Sequence, residues 1–174
     1  PGAQPLLPVA DSRPRLGLVW SGNVEFPRNA ERSLGDDDVR QLVHYDAVQW
    51  ISLQQGAAAS ALETQVPSIG ALADWSATAR VLASLDGLVT TCTGIAHLAG
   101  AMGVPTWVII NQVPDWRWGL HTDESPWYPS VRLVRQTHQG AWPGAIAALP
   151  PSLRCHGLIT LPKYEVSFDE PIAN

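Results

Sequence analysis

Residues 92–97 read Cys-Thr-Gly-Ile-Ala-His and follow directly on an apolar run, GLVTT, at residues 87–91. A strand that ends in a Thr-Gly turn and passes into a small-residue helix offers the helix's first backbone N–H groups to whatever lies beyond the turn. The positive end of the helix dipole points the same way. Such a terminus binds phosphate. Thr93 and Gly94 would supply the N–H groups. His97 would donate to a diphosphate or steady a departing one. The same residues also fit an ordinary capped helix with a buried histidine. A second glycine turn, Ser21-Gly22-Asn23, closes another apolar run, RLGLVW at residues 15–20. Its glycine lets backbone approach a ligand closely. Arg28 or Arg32 would then meet pyrophosphate through a bidentate guanidinium, or else face water on a solvated loop.

Other candidates are less pointed. Gln54 and Gln55 end a strand, where an amide can touch a nucleotide or merely close a turn. Cys92 sits beside a helix N-terminus, a setting found at reactive thiols. His97, one turn along the same helix, is badly placed as its base, so a small packed hydrophobe fits Cys92 better. Trp116, Trp118, Trp127 and Tyr128 crowd one loop. Aromatic faces stack on bases and sugars, and they also pin long loops down. Asp115 and Arg117 would organise that loop through hydrogen bonds.

Composition narrows the partners. The chain has 174 residues, enough for one domain with a substantial core, and a net charge of −5. Lys163 is the single lysine, and the arginines are scattered, which argues against a polynucleotide groove. No apolar run reaches the ~18 residues of a membrane span, and no leader pattern opens the chain. The two cysteines, Cys92 and Cys155, form neither a disulfide framework nor a metal spacing. A reduced, cytoplasmic setting follows as the expectation.

These residues need a scaffold. Residues 1–14 hold four prolines and read as a linker or strap. Residues 15–20, 48–53, 87–91, 106–110 and 131–134 are strand runs. Residues 64–69 form a possible edge strand containing Pro67. Helices are expected from Asp36, from Asp74 through Leu85 with Ala79, Leu82 and Ala83 inward, over residues 94–102, and over residues 142–149. Residues 150–174 read as an irregular tail. Strands alternating with helices predict an α/β, Rossmann-like doubly wound parallel sheet over residues 15–149, with order 3-2-1-4-5-6. In that order the strands ending at Trp20 and Thr91 are neighbours. Their carboxyl ends are the switch point where such sheets bind ligands, and both glycine turns fall there.

Several pieces carry a resemblance: GLVWSGN at residues 17–23, the RN-x-x-RS stretch at 28–33, SLQQG at 52–56, DWSATARVLASLD at 74–86, TGIAHLAGAMGVPTW at 93–107 and DWRWGLHTDESPWYPSVRLVRQ at 115–136. Together they resemble the C-terminal glycosyltransferase-like domain of bacterial tetratricopeptide-repeat proteins. That domain is similar to the nucleotide-binding half of family-nine glycosyltransferases, the ADP-heptose:lipopolysaccharide heptosyltransferases, and more distantly to protein O-GlcNAc transferases. The resemblance implies the donor-binding half of a GT-B enzyme, inverting transfer without metal, and a nucleoside diphosphate-sugar as substrate rather than any cofactor. It also implies an N-terminal acceptor or repeat domain that the 174 residues do not contain, so that the chain is a fragment or a free-standing module. On this pattern the diphosphate is held by Ser21, Gly22, Asn23, Arg32, Thr93, Gly94 and His97, with Gln54, Trp116 and Trp118 as further nucleotide or sugar contacts. The relatives carry Asp where this chain has Cys92, which leaves a non-catalytic binding or scaffold module as the alternative. A dinucleotide enzyme is disfavoured, because no G-x-G-x-x-G follows the first strand.

Overall fold

The computed structural model describes residues 12–56, 58, 62 and 65–158. Five parallel strands, β1 (Arg15–Val19), β2 (Gln49–Ser52), β3 (Gly87–Thr91), β4 (Thr106–Ile110) and β5 (Val131–Arg135), form one sheet in the order β2-β1-β3-β4-β5. The edge strand expected at residues 64–69 is reduced to one parallel bridge, Ser52 to Ser68. Pro67 cannot donate to a ladder. Counting that bridge as the third strand, the order is 3-2-1-4-5-6 as expected, and β1 lies beside β3 with Val19 in register with Thr90.

Helices cover both faces. On one, α2 (Asp36–Val43) and α5 (Trp142–Cys155) bury Val39, Leu42, Ile146, Leu149 and Leu153 against Leu16, Leu18, Val89, Trp107 and Ile109 of the sheet. On the other, α3 (Trp75–Leu82) and α4 (Gly94–Ala101) bury Val81, Leu82, Ile95 and Ala99 against Val19, Ile51, Leu53 and Leu88. A short α1 (Asn29–Arg32) follows the β1 loop. β3 and β4 are buried at every position, as expected of strands covered on both sides.

Two sequence expectations are corrected here. The inward face of α3 is Thr78, Val81 and Leu82, continued by Leu85, while Ala83 is exposed. Valine and leucine bury more apolar area than alanine, so they set the phase of the helix. The last helix passes the expected end at Leu149 and includes Pro150 and Pro151. Prolines cost a helix its i→i−4 bonds. Here the turn beyond them is docked: Leu153 is fully buried, and Ser152 Oγ accepts from Trp107 Nε1 at 3.0 Å. Tertiary packing outweighs the local penalty. The strap over residues 1–11 and the tail beyond residue 158 lie outside the described residues.

Candidate functional site

The carboxyl ends of β1, β2 and β3 open into a cavity of about 690 Å³. Ser21, Gly22 and Asn23 form one wall, Thr93 and Gly94 another, and Leu53 and Gln54 the floor. Leu72, Asp74 and Trp75 close the far side. The structure therefore brings together both glycine turns and Gln54 at the switch point.

The Ser21 loop is tied down by its neighbours. Gln54 is buried, and its Oε1 accepts from the backbone N–H of Trp20 at 3.0 Å and of Ser21 at 2.9 Å. Its Nε2 donates to the carbonyls of Ser21 and Gln55. All four hydrogen-bonding positions of this amide are engaged. Gln54 is thus the clasp between β1 and β2, and a ligand would touch its apolar atoms. Asn29 does the same from α1: Oδ1 accepts from Gly22 N–H at 3.1 Å, and Nδ2 donates to Ser21 Oγ. The first loop accordingly presents carbon and hydroxyl to the cavity rather than spare amides from Ser21 and Gly22.

Arg32 does not line the cavity. It lies behind Gly22, its guanidinium 4.3 Å from the centre of the Phe26 ring and its Nε 3.4 Å from Asn29 Oδ1. A Cβ on Gly22 would fall 2.7 Å from Arg32 Nη2, so the glycine is what lets the guanidinium lie across the loop. Asp74 is the one ionisable side chain among the lining residues, and its Oδ1 caps α3 by accepting from Ala77 N–H at 2.7 Å.

The Thr93 loop supplies what the first loop lacks. α4 starts at Gly94 with no side-chain cap. The Thr93 hydroxyl is turned to Thr90 Oγ1 at 2.9 Å. The first-turn amides of Gly94 and Ile95 have no partner among the described residues, and both residues line the cavity. This is the anion-binding end of a helix. Beside it, the Trp75 indole is 61 % exposed and packs over Gly94, where a Cβ would fall 3.0 Å from Trp75 Cη2.

Three expected contacts fall elsewhere. His97 faces away from the large cavity: its ring stacks on Trp118 with centroids 5.0 Å apart, and Nδ1 shares a 3.2 Å hydrogen bond with Tyr128 OH. Burial, and then the Arg117 charge, lower its pKa against the opposing pull of Asp115. Trp118 is wholly buried, donates its indole N–H to Cys92 Sγ at 3.1 Å and lies outside the lining of the large cavity. Trp116 is exposed, but it borders a separate, smaller cavity of about 250 Å³ with His97, Arg117, Trp127 and Tyr128. Cys92 is half-buried against this aromatic cluster. Among the described residues no group of His, Cys, Asp and Glu could hold a metal ion. No described helix is long and apolar enough to cross a membrane.

Sequence reading passed over Trp75. It is the first residue of α3, at the mouth of the cavity beyond the buried Thr78, Val81 and Leu82, and stays exposed there beside Gly94. Gln55 was also undervalued. Its side chain bonds the backbone of Leu53, Gln54, Gly70 and Leu72 and so fixes the segment that carries Trp75.

No protein-family model matches the chain. Protein FlbA of Caulobacter vibrioides is 25% identical over 154 residues, covering 81% of this chain and 25% of FlbA. A glycosyl transferase family 9 protein from Veillonella parvula superposes with a TM-score of 0.55 at 11% identity, covering 90% of this chain and 42% of that one. The chain therefore shares an α/β, Rossmann-like fold with part of that protein, and it spans only a quarter to two-fifths of the length of the proteins it matches.

Proposed function

We propose that this chain is the half of an inverting GT-B glycosyltransferase that binds the nucleoside diphosphate-sugar. The observation that carries the reading is the pair of amides of Gly94 and Ile95, without partners among the described residues, beside a cavity of about 690 Å³ at the switch point of the sheet. The diphosphate lies on the α4 N-terminus, whose dipole and N–H groups offset its charge without a metal ion. Arg32, one loop behind, adds positive potential. The nucleoside fills the apolar side, against Leu53, Leu72 and Trp75. Departure of a nucleoside diphosphate concentrates negative charge on its terminal phosphate, where fixed N–H donors stabilise the transition state more than the ground state. The acceptor and its base come from a second domain that faces this end of the sheet.

Titration with ADP, UDP and GDP in the presence of a chelator tests the reading. The backbone amides of Gly94 and Ile95 and the Trp75 indole N–H should shift in NMR spectra. If all three nucleotides leave them unmoved at millimolar concentration, roughly −4 kcal/mol, the proposal is wrong.

One observation favours a second reading, binding without turnover. His97 is engaged with Tyr128 and Trp118 and lines no part of the cavity. Nucleotide binding with no diphosphate release from any sugar nucleotide, in the full-length protein with its acceptor domain, would select it.

A further inference from the structure

Two tryptophans are held out in water on a loop that is otherwise tied down. Trp116 is 71% exposed and Trp127 is 56% exposed. Leaving an indole in solvent forgoes a large apolar burial, and a slack loop would fold the rings inward. Residues 115–128 are not slack. Arg135 reaches across and donates to the carbonyls of Trp118, Gly119 and Thr122. Asp115 accepts from Arg117 N–H at the start of the 3-10 turn Trp116–Trp118. The indole N–H of Trp127 donates to the Arg117 carbonyl at 2.9 Å.

The two exposed rings meet edge to face, with centroids 6.2 Å and planes 85° apart. They make a corner rather than a slot. The Arg117 guanidinium lies over one face of Trp116, 5.0 Å from its centre. His97 and Tyr128 complete the cavity of about 250 Å³. Arg117 is already paired with Asp115 at 2.8 Å, so the corner carries little net charge.

We infer that this corner is a glycosyl subsite: a pyranose ring lays its C–H face on Trp116 or Trp127 and hydrogen-bonds its hydroxyls to Tyr128, His97 and Arg117. Volume, shape and charge agree on that class. The cavity is too small for a nucleotide. A planar base wants parallel faces, and the rings stand at right angles. A phosphate wants a free cation, and Arg117 is neutralised. A sugar has one apolar face and a polar rim, which matches an aromatic wall beside a hydroxyl and an imidazole. His97, which lines the corner, lies one helical turn from Gly94 on α4. The ring therefore belongs either to a donor whose diphosphate sits at Gly94 or to an acceptor glycan brought up to it. Only the first source rests on the nucleotide reading.

The test follows the indole N–H signals of Trp116 and Trp127 in NMR spectra of the intact chain. The probes are methyl glucoside, methyl mannoside, N-acetylglucosamine and maltotriose, then UDP-glucose, UDP-N-acetylglucosamine, ADP-glucose and GDP-mannose beside the bare nucleotides. Free pyranosides should shift both indoles, with dissociation constants on the order of 10 mM, worth about 3 kcal/mol. Trp116→Ala should weaken that binding roughly tenfold with an unchanged unfolding midpoint; Trp127→Ala should weaken it as much while also losing the bond to the Arg117 carbonyl, and Trp127→Phe, which loses the same bond but keeps an aromatic face, should retain most of it. A sugar nucleotide that moves the Gly94 amide and both indoles together identifies the donor sugar. Maltotriose that moves the indoles with ADP saturating the large cavity identifies an acceptor. Pyranoside binding with no nucleotide binding upholds the subsite and sinks the nucleotide proposal. Nucleotide binding with no sugar, free or attached, moving either indole overturns the subsite and leaves the nucleotide proposal standing. No response to any probe overturns both.

Discussion

The side chain of Tyr128 lies against Gly100, so closely that a Cβ there would sit 2.5 Å from Cγ of the tyrosine. The contact seats the 125–129 turn on α4 and delivers the Tyr128 hydroxyl to His97. Gly100→Ala sets two effects against each other. Alanine gains about 1 kcal/mol of helix propensity over glycine. Overpacking a fitted contact costs typically 1–3 kcal/mol, and two ring atoms and the Cβ of the tyrosine at or within 3.0 Å put this site at the upper end. A net destabilisation of about 1–2 kcal/mol is expected, read as a lower denaturant midpoint with unchanged slope. An unchanged or raised midpoint would show that the tyrosine simply swings aside.

Gly94→Val should separate binding from folding. The new side chain meets the exposed Trp75 indole, which has room to move. Stability should change by no more than about 0.5 kcal/mol. The valine nevertheless stands where a phosphate oxygen must reach the first amides of α4, and nucleotide affinity should fall at least roughly tenfold, about 1.4 kcal/mol. Calorimetry against the best of ADP, UDP and GDP measures it. Undiminished affinity would mean that the turn has no part in binding.

The chain wrote its scaffold plainly because strands such as GLVTT and TWVII are short runs of apolar and β-branched residues that begin at a glycine or follow a proline. Both glycine turns were legible for the same reason: each closes such a run. The phase of α3 was not, since alanines fit either face, and Trp75 was missed because its neighbour Gly94 lies 19 residues later. His97 was misplaced for a different cause. Its distance along α4 from Gly94 is fixed by helix geometry, but the side on which it finds partners is set by Trp118 and Tyr128, 21 and 31 residues later. No local pattern encodes that pairing. Arg32 shows the same limit: the sequence places it on the right loop, and the packing of Phe26 and Gly22 decides where its guanidinium lies.

His97 gives the fold a pH dependence of definite sign. Burial, aided by Arg117 and opposed by Asp115, lowers its pKa from the ordinary value. The unfolded chain then takes up the proton more readily than the folded one. The stability tied to neutral His97 is fully present above about pH 6.5 and is lost as pH falls through the folded value. Unfolding midpoints should therefore decline between pH 7 and pH 5, and His97→Gln should flatten that decline. A variant with the same slope as the parent would place the pH dependence on other groups.

Cys92→Asp bears on both stability and chemistry. The thiol is the acceptor for the Trp118 indole N–H, at the entrance to α4. A carboxylate takes over that bond as a charge-assisted one and stands near the positive end of the helix dipole, which is worth about 0.3–1 kcal/mol at a partly exposed site. The variant should be stabilised by about that amount at pH 7. Its carboxyl pKa should be depressed, so the gain is present above about pH 3.9 and disappears as pH falls through the folded value. On the side of chemistry, the residue adjoins the diphosphate loop and the aromatic corner together. If the loop is competent, release of nucleoside diphosphate from a panel of sugar nucleotides should rise in the variant above the parent. A stabilised variant with no rise would assign residue 92 to anchoring Trp118 and leave binding without turnover as the activity of this half. A destabilised variant would mean that the thiol's surroundings are too dry for a charge, and the dipole argument would be wrong.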